Sequence, residues 1–204
     1  MSLGIRAMEL LCSRLCHDLV GPLGAINNGV ELLDEGGDAG DEALDLIAGS
    51  AETATARLRL YRLALGAAGG QSLSAADARG ALEGWFRGGK VRLEWLVQSA
   101  PSAPGLLKLA LLAALLAEES LPRGGTITVS SGEKDIAVRG MGAGCALRPE
   151  MAPALAGQVA ESDLGPRSIL SHVTPLLAAA YGLDISFDTV PAGEVVFRLH
   201  PAKG

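Results

Sequence analysis

The apolar positions near the start of the chain fall on one side of a helix. Leu11, Leu15, Leu19, Leu23, Ile26, Val30 and Leu33 step by four or three within residues 3–33, the spacing that gathers side chains into one stripe at 3.6 residues per turn. Gly36-Gly37 with Asp38 predicts its stop, and Asp41-Glu42 supplies acidic groups for the first turn of a second helix. There Leu44, Ile47, Ala51, Ala54, Leu58, Tyr61 and Leu65 alternate steps of three and four, a coiled-coil-like seam. The glycine-rich stretch 66–74 ends it. Residues 1–70 therefore read as an antiparallel helical hairpin. A hairpin cannot enclose a core alone. Two of them facing each other make a four-helix bundle, a common homodimer; the alternative is that the hairpin packs on the rest of its own chain.

Beyond residue 74 the period changes. Residues 75–86 are predicted helical, 91–97 alternate as a strand, and 106–121 form a mostly apolar helix. Short strands follow at 126–130 and 135–139, then a helix at 167–181 despite Pro175, and final strands at 183–188 and 194–200. The expected class is α+β: the hairpin in residues 1–70, then an α/β sandwich with a mixed sheet in residues 71–204. Trp85, Phe86 and Trp95 are the expected aromatic anchors of that second core.

Charge narrows the function. The 204 residues carry 17 Lys and Arg against 23 Asp and Glu, a net charge of −6. The hairpin holds most of it, with five basic residues against ten acidic ones. Such a surplus argues against nucleic acid, whose binding needs a basic footprint to replace counterions. Residues 1–12 lack an apolar segment of signal-peptide length. The longest apolar run, 106–117, is broken by Lys108, ends at Glu118-Glu119 and is too short to span a bilayer. A cytoplasmic protein without a membrane partner is expected. Cys12, Cys16 and Cys145 have no disulfide-framework spacing. Cys12 and Cys16 approach metal-ligand spacing with His17, but no fourth ligand lies nearby, so they read as packing thiols and no metal is expected. His172 and His200 read as structural or merely exposed histidines.

The chemistry concentrates in His17-Asp18-Leu19-Val20-Gly21-Pro22-Leu23. At 100° per residue, Ser13, Arg14, Gly21, Gly24 and Asn28 lie within about 60° of His17, whereas Leu15 and Leu19 point roughly 160° away. His17 is thus expected on the outer face. A glycine inside a helix costs about 1 kcal/mol relative to alanine, and two beside one exposed imidazole imply close approach of another protein. Pro22 removes a backbone hydrogen bond and is expected to bend the axis. An imidazole nitrogen can form a covalent intermediate, and histidine supplies a neutral nucleophile near pH 7. Asp18 can hold the other ring nitrogen in the useful tautomer or accept a proton. The plain alternative is an ordinary surface histidine beside an ordinary aspartate.

This heptapeptide resembles the phosphoacceptor box of sensor histidine kinases, His-(Glu/Asp)-x-x-x-Pro-Leu, which opens a dimerising helical hairpin in those proteins. The second domain is similar in outline to their ATP-binding domain, with its motifs decayed. Pro122-Arg123-Gly124-Gly125-Thr126 matches a strand start of that family, but the two asparagine positions on the preceding helix fall on Leu112 and Leu116. The chain has only two asparagines, Asn27 and Asn28, both in the first helix. In Gly140-Met141-Gly142-Ala143-Gly144 the glycines of the next motif persist, with Gly140 where an adenine-recognising Asp belongs. The glycine-rich lid is reduced to Leu164-Gly165-Pro166.

A phosphoacceptor hairpin fused to a degenerate ATPase-like domain resembles the ChpT-type histidine phosphotransferases of bacterial phosphorelays. That likeness implies that His17 takes a phosphoryl group from the aspartyl-phosphate of a hybrid kinase's receiver domain and hands it to a response regulator. It implies no cofactor on this chain, with Mg²⁺ supplied by the receiver. Asp18 would orient or assist His17, Arg14 would orient or neutralise phosphoryl oxygens, and Gly21, Gly24 and Asn28 would be docking surface. Two rivals are an ATP-dependent histidine kinase and a non-catalytic module that binds response regulators. The helix with Leu106, Leu109, Leu112, Leu115 and Leu116 is expected to be buried, its former nucleotide pocket collapsed onto it.

Overall fold

The helical stripes become α1 (Ile5–Asp34) and α2 (Gly40–Ala64) in a computed structural model that describes residues 3–34, 40–67, 73–98, 103–190 and 193–202. The expected stop at Gly36-Gly37-Asp38 and much of the 66–74 boundary lie outside those residues. Helix α1 runs through Pro22 as one element of 30 residues. Its first turn has no acidic side chain of its own. Glu161, in a short 3-10 turn (Glu161–Asp163), instead accepts a hydrogen bond from the Ala7 N–H at 3.1 Å, and Arg6 donates to the Leu164 carbonyl at 3.3 Å. A carboxylate borrowed from far along the chain thus satisfies part of the helix N-terminus. Near the other end Gly29 is buried against α2. A Cβ there would sit 2.6 Å from Ile47 Cγ1 and 3.2 Å from the Ala43 carbonyl, so the two helices meet through backbone.

The rest builds a mixed sheet. Helix α3 (Ala75–Phe86) starts at Ser74, whose Oγ accepts from the Asp77 N–H at 3.0 Å. Then come β1 (Val91–Trp95), α4 (Leu106–Glu119), β2 (Gly125–Ser131), β3 (Ile136–Met141), α5 (Met151–Leu155), α6 (Ile169–Ala180), β4 (Leu183–Val190) and β5 (Glu194–Pro201). The sheet order is β1-β2-β3-β5-β4, with β1 and β2 parallel across α4 and the other pairs antiparallel. Ile136, Val138, Val195, Phe197 and Leu199 are buried, whereas Arg139 and Arg198 are exposed. That alternation is expected of a sheet with one covered face. α4 packs against β2, β3 and β5. Every residue from Leu106 to Ala117 is buried, and each fully buried leucine contributes about 2 kcal/mol of transfer free energy.

The elements expected from residue 74 onward are present with ends shifted by a residue or two, and α5 is an addition. The hairpin does not stand apart. Leu60, Tyr61 and Ala64 of α2 share one buried cluster with α3, α4 and the strands. Lys108, itself buried, donates to the Gly66 carbonyl at 2.5 Å and lies 5.6 Å from the Tyr181 ring, pinning the end of α2 to α4. Further up the hairpin Val20, Leu23, Val30, Leu44 and Leu58 stay exposed within the single chain. Leu112 and Leu116 are fully buried. A cleft of about 770 Å³ opens elsewhere, between α2 and α3, with Glu52, Arg57, Arg59, Trp85 and Arg87 among its lining residues.

Candidate functional site

His17 stands on the outer face of α1 with 87% of its side chain exposed. Its Nδ1 lies 3.4 Å from Asp18 Oδ1, so the following residue turns back on the ring. Asp18 is much less accessible, with 12% of its side chain exposed. Its Oδ2 accepts from Arg14 Nε at 3.1 Å, one helical turn earlier, and from the Tyr61 hydroxyl on α2. Arg14 also reaches Glu119 Oε1 on α4 at 2.8 Å. The other Glu119 oxygen lies 3.6 Å from Arg148. These last two contacts are charge pairs without the alignment of hydrogen bonds, since among the described residues neither Glu119 oxygen has a hydrogen-bond partner.

The electrostatics follow from this enclosure. Burial by itself would raise the Asp18 pKa, but the Tyr61 hydroxyl and the Arg14 guanidinium outweigh it and hold the carboxyl below the usual range. Burial, then the hydrogen bond to Asp18, pushes the Tyr61 hydroxyl well up, so it remains a donor. Burial opposes the charge on Arg14, and Glu119 and Asp18 more than offset this, keeping it cationic. The site beneath His17 is a fixed carboxylate held by two donors.

A second ring of contacts supports it. Arg57 donates to the Asp18 backbone carbonyl at 2.7 Å and lies 5.4 Å from the centroid of the Trp85 ring. Trp85 meets Tyr61 edge-on, with centroids 5.4 Å apart, and donates through Nε1 to Glu118 at 2.7 Å. Burial raises the Glu118 pKa against the opposing effect of that hydrogen bond.

Several sequence expectations change here. Arg14, expected to face a partner's phosphoryl oxygens, is turned onto Asp18 and Glu119, and 21% of its side chain is exposed. Gly21 and Asn28 are exposed and Gly24 is half-buried. A Cβ on Gly21 or Gly24 would meet nothing within 4 Å, so the surface there is open. Cys12 and Cys16, expected to pack, are exposed. Cys145 is buried, and burial pushes its thiol up. Trp85 serves this site as well as the second core, while Phe86 is buried in that core and Trp95 packs against it. His172 lies on α6 and His200 on β5. Tyr61, Glu119 and Arg57 were not among the expected site residues. The sequence offered faint hints: a hydroxyl in an otherwise apolar seam, and two acidic residues ending a wholly apolar helix. Among the described residues no group of three or more His, Cys, Asp or Glu is gathered for a metal. Among them also, no helix is long and apolar enough to cross a membrane.

Residues 75–193 match the family model described as histidine phosphotransferase C-terminal domain. Over 194 residues, 92% of each chain, the sequence is 36% identical to a protein phosphotransferase ChpT from Brucella abortus (strain 2308). A solved structure described as a bacterial phosphotransferase superposes with a TM-score of 0.82 at 33% identity, covering 98% of each chain.

Proposed function

The chain belongs to the histidine phosphotransferases, and from that membership we propose that His17 is the residue that carries the phosphoryl group between receiver aspartates. One observation carries this reading: a solvent-facing imidazole whose Nδ1 lies against a carboxylate held in the anionic form. With Nδ1–H directed at Asp18, the lone pair of Nε2 is free to act as nucleophile. In the forward step Nε2 attacks phosphorus, the N–P bond forms, the acyl O–P bond breaks, and the donor aspartate leaves as a carboxylate. The proton stays on Nδ1. The ring gains positive charge, which the Asp18 carboxylate offsets at close range. In the second step a carboxylate oxygen of the next receiver attacks the same phosphorus and Nε2 leaves.

The chain's own part is positioning and charge compensation, the terms that dominate phosphoryl transfer. Mg²⁺ belongs to the receiver in this scheme. Gly21, Gly24 and Asn28 form open surface near His17 on which a receiver can seat. The second domain serves as scaffold, not as a nucleotide site. Buried Leu112 and Leu116 support this, as does Gly140, where a Cβ would lie 3.2 Å from Val195 Cγ1 and 3.4 Å from Ala117 Cβ. The exposed apolar positions Val20, Leu23, Val30, Leu44 and Leu58 suit a second hairpin, so the working form is a homodimer with a four-helix bundle.

The test mixes the purified protein separately with a ³²P-charged receiver domain and with γ-³²P ATP, using wild type and His17→Ala. Label from the receiver on wild type alone is expected. Label from ATP would make the protein a kinase, and no transfer from a panel of charged receivers would favour a binding module.

A further inference from the structure

Asp18 lies against Nδ1 of the His17 ring, yet nothing in its own backbone forces Oδ1 towards Nδ1. A carboxylate at the surface swings about its χ2 torsion, which is broad and roughly two-fold. Here Oδ2 is clamped from two directions, by Arg14 Nε on α1 and by the Tyr61 hydroxyl on α2. Arg14 is in turn held by Glu119 at the end of α4, a residue of the second domain. Glu119 has 8% of its side chain exposed and faces a second cation, Arg148. The chain of contacts runs from the sheet domain through one arginine to the reactive imidazole.

We propose that Tyr61 and Glu119 are positioning residues for phosphoryl transfer, fixing the Asp18 carboxylate so that His17 is held as the Nδ1–H tautomer with Nε2 free. This rests on the reading of His17 as phosphoacceptor and gives the second domain a part in the chemistry without a nucleotide. The tautomer of a neutral imidazole is set by the hydrogen bond that its other nitrogen makes, and free histidine favours the Nε2–H form, which has no lone pair on the nitrogen that must react. Asp18 reverses that preference only while its Oδ1 points at the ring. Tyr61 and Glu119 keep it pointing. Tyr61 also packs edge-on against Trp85, so removal of its hydroxyl alone leaves the ring contact in place.

Full-length protein with ¹⁵N-labelled histidine separates this role from mere gluing of the hairpin to the sheet domain. The His17 signals are assigned by their loss in His17→Ala, and their ¹⁵N shifts report the tautomer. In Tyr61→Phe and Glu119→Gln the population is expected to move from Nδ1–H towards Nε2–H. Acceptance of phosphoryl from a charged receiver domain should fall on the order of 10-fold at saturating receiver, with unchanged receiver affinity. Glu119→Asp should recover part of the loss. Thermal melts check that each variant is folded, and if one is not, the other carries the test. Unchanged tautomer and rate in folded variants would overturn the proposal, and so would a loss confined to receiver affinity. A wild type that takes no label from receivers refutes the phosphoacceptor reading itself. A wild type that takes label, with both variants matching it, refutes only the positioning role.

Discussion

Helices α1 and α4 are both rich in apolar residues, yet the chain treats them in opposite ways. Of its 30 residues α1 buries only Ala7 and Gly29, whereas α4 is buried from Leu106 to Ala117. The sheet and the base of the hairpin enclose α4, and its only polar residue in that span, Lys108, is satisfied by the Gly66 carbonyl. α1 is held at points instead: the Glu161 contact at its start, the Arg14–Glu119 pair in its middle, and the Gly29 crossing near its end. The difference fits the proposed role of each. A nucleophile that serves a protein-sized substrate needs an open outer face, so its helix is fastened from behind and at intervals. A scaffold helix gains most by being covered completely.

That contrast can be broken from either side. The largest effect is expected in α4. Leu116→Asn removes a fully buried aliphatic group and leaves an amide without partners, so stability should drop by about 3 kcal/mol or more in urea titrations. If the second domain were an open nucleotide site, the same change would be nearly silent and would promote ATP binding, which equilibrium dialysis reads. On the hairpin, Leu58→Glu is expected to abolish the proposed dimer in light scattering while leaving the urea midpoint of the monomer close to its starting value, because Leu58 is exposed within the chain.

The Asp18 carboxylate sharpens the comparison through pH. Its folded pKa lies below the unfolded value of about 3.9. The stability it contributes is therefore fully present above that unfolded value, and it is lost as pH falls through the folded one. Asp18→Asn should be less stable than wild type at pH 7, with the gap closing in strong acid; a constant gap from pH 7 to pH 2 would mean that charge is not what holds the site. The smallest effect concerns Gly29. Alanine there gains helix propensity but meets Ile47 at 2.6 Å and the Ala43 carbonyl at 3.2 Å, so a net loss of about 1 kcal/mol is expected.

The sequence foretold most of the elements because period alone defines them: α1, α2 and the alternating strands all form, although Leu23 and Val30 of the α1 stripe and Leu44 and Leu58 of the α2 seam stay exposed within the chain. It also singled out His17, since angular position on a helix follows from spacing. The contacts that hold Asp18 from other helices were not legible. Tyr61 meets it from α2, 43 positions away, and Glu119 acts one step further back, pairing with Arg14 from 105 positions along the chain, and a lone hydroxyl or carboxylate leaves no periodic trace. Tyr61 was counted as one apolar member of the seam, which its ring is, while its hydroxyl does something else. Cys12 and Cys16 were expected to pack because cysteine usually does, but among the described residues no element covers that flank of α1. Helix α5 escaped notice because five residues around Pro153 are too few to show a period.

The cap on α1 has a consequence for how the protein comes into being. Ala7 and Glu161 lie 154 positions apart, and Arg6 and Leu164 lie 158 apart. Helix α1 must therefore wait for residues more than 150 positions further along before its leading turn is closed. Arg14 waits similarly for Glu119. Contacts so distant along the chain are slow to form, which places the helix that carries His17 among the last segments to be secured. A chain cut short of residue 119 would leave Arg14 without its Glu119 partner, so on the proposed roles of His17 and Asp18 the imidazole would lose part of what keeps it in register.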